Sequence, residues 1–233
     1  MQNFITKTFL EDDRWRYFAN GLSVTLRVTA VALCIGFFGG LLLALVRTAA
    51  AEARRPGRRY PLWLRIANGI AGAYITLIRG TPSTLQLLLL FNIVLSGVEN
   101  PIFVAMIAFG MNSSAYMAEI FRAGVQSVDV GEKEAARSLG LPYGKMMRRI
   151  VLPQAFRAVL PALGNEVITL LKETSISGFI GLMDLTRANS IIVSKTFNAL
   201  PIYMTTATIY LLLVFLLERL FRFLERRTAY AAS

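Results

Sequence analysis

Few side chains in this sequence can do chemistry, and most of those stand where charge is expensive. Glu166, Lys172 and Glu173 interrupt an apolar stretch over roughly 156–183, and Glu119 closes another that begins at Asn100. A charge at mid-membrane costs at least ~2.5–3.5 kcal/mol on insertion scales, so such a residue lines a cavity or is paired. Glu166 follows Asn165, and Gly164 leaves room beside it for a ligand or another helix. Its carboxylate can attract the ammonium of an amino acid, or it can form an ion pair with Lys172 or with another subunit. Glu119 has the same two options, with Arg122 three residues on as the local partner. Lys172-Glu173-Thr174-Ser175 suits a substrate path or gate, because irregular polar backbone at depth is tolerated where it lines a cavity. The other reading is a boundary at the outer surface. Asn112, Ser113, Ser114 and Tyr116 form a polar group fit either for a ligand or for gluing helices together. Arg79 precedes Gly80-Thr81-Pro82, where the proline removes a backbone donor; Gly80 and Pro82 therefore mark a hinge, with or without ligand contact.

Other chemistries are excluded by what is missing. Without histidine there is no Ser/His/Asp arrangement. No glycine-rich loop ending in lysine is present to cradle a nucleotide phosphate. With Cys34 the only cysteine, no intrachain disulfide forms and no His/Cys zinc or haem site is expected. The sequence calls for no metal, no cofactor and no catalytic residue.

The elements that position these residues are membrane spans. The 233 residues are 55% hydrophobic, with mean hydropathy +0.54, too apolar for an ordinary soluble domain. A spanning helix needs about 20 mostly apolar residues. Five such stretches are legible: roughly 20–46, then 66–98 as one long bent span, 100–118, the polar-interrupted 156–183, and 198–217. The Leu-rich last span faces lipid. The chain is expected to be an all-α integral membrane protein, one transmembrane domain over 1–233. No cleaved leader is expected, because charged residues from Glu11 to Arg16 precede the first span and no short apolar segment leads to a cleavage site.

Charge sets the orientation. The formal charge is +11, which in a soluble chain would point to nucleic acid. Here the basic residues fall between apolar runs, and no nucleic-acid partner is expected. Arg47, Arg54, Arg55, Arg58, Arg59 and Arg65 lie in one loop. Arg122, Lys133, Arg137, Lys145, Arg148, Arg149 and Arg157 lie in another, and Arg219, Arg222, Arg226 and Arg227 in the tail. With five spans all three groups reach one side. Cytoplasmic loops are rich in Lys and Arg, so the N-terminus is expected outside and the C-terminus inside. Asp184 to Phe197 then reads as a short outer helix or lid.

The loop at 127–155 has its own pattern. Glu132 to Leu139 favours helix, Gly140 can take the left-handed conformation that ends one, and Pro142 sits where another begins. Tyr143 to Leu152 reads as a second short basic helix, and Pro153 as the bend back toward the membrane. Such a hairpin is a knob for a groove on a soluble partner, with Glu134 for a polar contact, Ala135 and Ala136 for close approach, and a glycine for the turn.

Glu134-Ala135-Ala136, Gly140, Ile150, Leu152 and Pro153 fit the pattern E-A-A, three residues, G, nine residues, I-x-L-P. This resembles the loop by which permeases of bacterial ATP-binding-cassette (ABC) importers hold their ATPase. The resemblance covers about 18–225 and is to the polar amino acid branch of the type I importers. Asn20-Gly21-Leu22 with Thr25-Leu26, Arg79-Gly80-Thr81-Pro82 with Gln86-Leu87, Ala115 through Val128, Pro153 through Arg157 and Leu171 through Ser175 carry it. Two positions depart: Glu173 stands where Asp is frequent, and Glu166 where a neutral residue is expected. The resemblance implies the type I permease fold in the bacterial cytoplasmic membrane. It also implies a second permease subunit (a copy or a homologue), two ATPase subunits and an extracytoplasmic amino-acid-binding protein. Two alternatives stand beside amino acid import: the same architecture for another small solute, and a passive channel or structural subunit, which needs no ATPase dock.

Overall fold

The structure is a computed structural model and describes residues 11–54 and 59–230. Arg55, Arg58 and both chain ends, which entered the side assignment, lie outside the described residues. Among those described every regular element is helical.

Helix α1 (Trp15–Ala53) and helix α4 (Pro101–Ser127) form the central pair. Ala32, Gly36, Gly40 and Ala44 recur every four residues on α1 and are buried. A Cβ on Gly36 would lie 2.7 Å from the Ser113 hydroxyl, and one on Gly40 only 2.6 Å from the Met117 Cβ and 3.0 Å from the Ala118 backbone nitrogen. From α4, Gly110 makes the reciprocal space for Ile35. Without a hydrophobic drive inside lipid, this backbone approach is what van der Waals packing of small residues provides.

Between them the expected second span is folded back on itself rather than gently bent. Helix α2 (Leu62–Arg79) and helix α3 (Ser83–Leu89), the latter running into a π turn at Leu90–Val94, meet at 108°. Pro82 is the extended residue that starts α3, and it brings no N–H to continue α2. Gln86 then satisfies carbonyls freed by the break: its Nε2 donates to Ile78 O (2.7 Å) and Thr81 O (3.1 Å). Thr81 Oγ1 donates to Leu77 O.

The segment after the hairpin also differs from expectation. Helix α6 (Tyr143–Met146), a π turn (Met147–Val151), helix α7 (Leu152–Glu173) and a 3₁₀ segment (Thr174–Ile180) run on as one helical body. Pro153 does not bend the chain. It occupies the second position of α7, and the wider π turn just upstream accommodates its missing N–H and its ring. Lys172-Glu173-Thr174-Ser175 is likewise helical, the end of α7 entering the 3₁₀ segment, not irregular backbone.

Gly181, at φ +78°, ends that body. Asp184, fully buried, caps helix α8 (Leu185–Thr196) by accepting from the Thr186 and Arg187 N–H groups at 3.0 Å. The turn is 51°. Helix α8 is no free lid: Leu185 and Ile192 pack with Phe18 of α1 and Ile202 of helix α9 (Ala199–Tyr230). Gly21 is where this happens, since a Cβ there would lie 2.7 Å from Asp184 O. Thr25 Oγ1 accepts from the Leu185 N–H.

Among the described residues three helices are long and apolar enough to cross a membrane: Trp15–Ala53, Pro101–Ser127 and Ala199–Thr228. Counting each bent pair as one span gives five. Leu211, Leu212, Phe215 and Leu216 of α9 lie exposed on the single chain, the face expected against lipid.

Candidate functional site

Helix α4 carries polar side chains on two faces. Ser113 faces α7, where its Oγ donates to Glu166 Oε1 at 2.8 Å, and both residues are buried. The alternative pairing with Lys172 is contradicted: six positions along a helix do not share a face, and Lys172 is exposed. Among the described residues Glu166 has no ion pair. Asn165, its neighbour, is exposed.

Asn112, Tyr116 and Glu119 follow helical spacing down another face. The Asn112 side-chain amide donates to Gln86 Oε1 at 2.9 Å, which ties α4 to the α2–α3 break. Ser114 and Tyr74 bring their hydroxyls within 2.7 Å. Glu119 is held in a fork by Arg122, at 2.6 Å and 3.2 Å, with Arg79 at 3.8 Å. The Arg79 guanidinium also lies 5.4 Å from the centre of the Tyr116 ring. Farther along, Thr174 is fully buried and donates to Leu171 O, while Glu173 and Ser175 are half-buried. The sequence-named polar residues therefore form two sets around α4. Glu173, two helical turns along α7 from Glu166 and close enough to feel its charge, extends the first, while Lys172 points away.

The second feature is the hairpin. Helix α5 (Val130–Ser138) starts on Asp129, whose side chain accepts from the Gly131 N–H. It ends at Gly140, where φ is +73°. Gly140 N–H donates to Arg137 O and Leu141 N–H to Ala136 O, the paired bonds of a Schellman ending. Val128, Ala136, Met146, Val151 and Ala155 form a buried cluster beneath it, with Ile150 packed alongside. This corrects the expected role of one alanine. Ala136 is only 2% exposed, so its small size serves the hairpin's own core and not the approach of a partner. Glu134, Ala135, Leu139 and Gly140 face outward, as do Leu152 and Pro153 at the start of α7. Arg137 reaches Glu52 of α1 at 3.2 Å, and Lys133 Nζ caps Val125 O and Val128 O at the end of α4.

Residues 62–230, most of the chain, match the family described as binding-protein-dependent transport system inner membrane component. The chain belongs to this family. It is thus a multi-pass inner membrane permease subunit, and ATP hydrolysis falls to a partner. Among its relatives are the arginine transport system permease ArtQ of Bacillus subtilis (37% identical; 91% of this chain and 92% of that one) and the glutamine transport system permease GlnP of Escherichia coli (35%; 89% and 90%). A solved amino acid ABC transporter with histidines is 40% identical at TM-score 0.79, covering 91% of this chain and 94% of its own. The inward-facing MetNI methionine transporter shares the fold at 20% identity and TM-score 0.76, covering 93% and 98%.

Several residues of this permease escaped the sequence reading. Leu139 is 81% exposed at the hairpin tip, and a bulky apolar residue before a helix-ending glycine was the available signal. Gln86 entered only through the family resemblance, without a structural role, and Tyr74 had no signal beyond polarity within an apolar run. The small-residue stripe on α1 was there to be counted.

Proposed function

We propose that this permease moves polar amino acids across the bacterial cytoplasmic membrane, driven by ATP hydrolysis in two copies of a partner ATPase. It pairs with a second copy or a homologue and receives solute from an extracytoplasmic amino-acid-binding protein. Its N-terminus lies outside and its C-terminus inside. Residues 127–155 are the coupling loop, with Glu134, Ala135, Leu139 and Gly140 presented to the ATPase. Ala136 and Ile150 hold the loop in shape, and Leu152 and Pro153 start the helix that leaves it. Glu166, bonded to Ser113, is the solute-facing carboxylate.

The observation that carries this reading is the hairpin: an outward knob built on its own core and tied to α1 through Arg137–Glu52. A passive channel has no use for it. The relatives named for arginine and glutamine transport support the solute class. The test is uptake of radiolabelled arginine, glutamine and cystine into cells that express the chain with its partner subunits. Uptake of at least one, lost on Gly140→Val, is expected. No uptake of any, with a correctly inserted complex, rejects the reading.

A further inference from the structure

Three guanidinium groups, on Arg47, Arg79 and Arg122, stand around one carboxylate, Glu119. Arg122 holds it in a fork, at 2.6 Å and 3.2 Å. Arg79 is left with a contact at 3.8 Å and the face of Tyr116. Arg47 lies against the bare side of Gly72, where a Cβ would come within 2.8 Å of its Nη1. Among the described residues it makes no hydrogen bond or close ion pair. Arg47 and Arg79 both line a cleft of about 550 Å³ between α1, α2 and α4. A second cleft of about 440 Å³ continues between α4 and α7, past Gly124, Ser127 and Ala162. The two clefts share Arg79, Tyr116 and Glu119 as a common wall.

Positive charge in excess of its counter-charge, lining a cleft at the basic end of the spans, attracts an anion. The guanidinium fork matches a carboxylate with two parallel charge-assisted hydrogen bonds. Because Arg122 holds Glu119 in its fork, Glu119 reaches Arg79 only at 3.8 Å and leaves most of that guanidinium's donors open. Gly72 leaves Arg47 this place in the wall, and a Cβ there would push its guanidinium aside. The cleft has room for an amino acid.

We propose that Arg47 and Arg79 form a station for the α-carboxylate of the transported amino acid, where the solute is held as it passes from one cleft to the other. Arg79 and Arg47 are then specificity-determining residues, and the solute class is narrowed to one that keeps its carboxylate. This rests on the reading above that the solute is an amino acid.

The assembled transporter, without its extracytoplasmic binding protein, is placed in nanodiscs of phosphatidylcholine and titrated with two pairs of probes. These are L-arginine with agmatine, and L-glutamine with 4-aminobutanamide, each amine lacking only the carboxylate. At least one amino acid is expected to bind at least tenfold more tightly than its amine. Arg79→Gln and Arg47→Gln are each expected to weaken that amino acid tenfold or more and to leave the amine unchanged. Arg79→Lys, which keeps the charge and loses the fork, falls between. If Arg79→Gln does not assemble, Arg79→Lys and Arg47→Gln carry the comparison. Equal binding of acid and amine, wild-type binding by the glutamine variants, or no binding of any probe overturns the station. Repeating the titration with phosphatidylglycerol tests the other source of an anion: displacement of the amino acid by this lipid in an Arg79-dependent way assigns the site to a lipid phosphate and overturns the proposal. Uptake by intact cells separates the two readings, since it persists if only the station fails and is absent if amino acid transport itself is wrong.

Discussion

Gly140 offers a clean separation of backbone strain from contact. Its φ is +73°, and a Cβ built there meets nothing within 4 Å. A substitution therefore acts through conformation alone. The left-handed region costs an L-residue roughly 1–2 kcal/mol, and Asn tolerates it best. At about 1.4 kcal/mol per tenfold, Gly140→Ala lowers the ratio of formed to opened hairpin by about tenfold. Gly140→Val, β-branched, lowers it by roughly 30-fold or more, the upper end of that strain range. Gly140→Asn changes it least. The hairpin's buried cluster and the Arg137–Glu52 contact are left in place by all three. Hydrogen exchange of the 130–151 amides in the assembled complex reads the opening directly, with the Gly140 and Leu141 N–H groups as the reporters of the Schellman bonds. ATPase co-purification and stimulated ATP hydrolysis should fall in the same order, Asn, Ala, Val. Wild-type protection and coupling in the valine variant, or an asparagine variant as impaired as the valine one, would refute the strain argument.

Other outcomes follow from the same geometry. Glu166→Gln keeps the Ser113 hydrogen bond and strands no cation, so the complex should keep its thermal stability. Uptake should fall by roughly 10- to 100-fold, the scale of one charge-assisted hydrogen bond; normal uptake removes Glu166 from the solute path. Gly40→Leu drives a side chain into Met117 and the α4 backbone, and should abolish stable insertion, measured as loss of monodisperse protein in detergent. Gln86→Leu leaves Asn112 and the Ile78 carbonyl unpartnered, at about 1–3 kcal/mol per buried group, and should lower the melting temperature of the complex. In a Cys34→Ala background, Ser138→Cys should resist an impermeant thiol reagent in intact cells while Glu99→Cys reacts; the reverse pattern overturns the orientation.

The long apolar helices were legible because composition alone defines them: α1, α4 and α9 stand where uninterrupted hydrophobic runs stand. The second and fourth spans were legible as apolar and illegible as shapes. Pro82 announces a break, but hydropathy carries no direction, so the 108° fold-back depends on tertiary bonds from Gln86 that no local pattern specifies. Pro153 misled for a related reason. Proline ends an α-helix by rule, and a preceding π turn is the exception that absorbs it. At the site, Gly140 was readable because turn chemistry is local. The partner of Glu166 was not, since Ser113 lies 53 residues away and reaches it only through helix packing.

The unbroken body from Tyr143 to Ile180 has a mechanical meaning. At 1.5 Å per residue it is a strut of about 55 Å, with the hairpin rooted at one end and Gly181 at the other. A rocking of only 5° about its middle sweeps each tip by about 2.4 Å, nearly the rise of two residues. The π turn at Met147–Val151 is the one place along that strut where the winding is loosened near its driven end. Beyond it Pro161 leaves the Arg157 carbonyl without its helical N–H, yet the helical run continues to Ile180. Displacement therefore reaches Asp184 and α8, and through Gly21 the start of α1, without a relay of separate side-chain moves. The chain thus connects a stroke at its basic face to torque at the opposite one within a single piece of covalent structure.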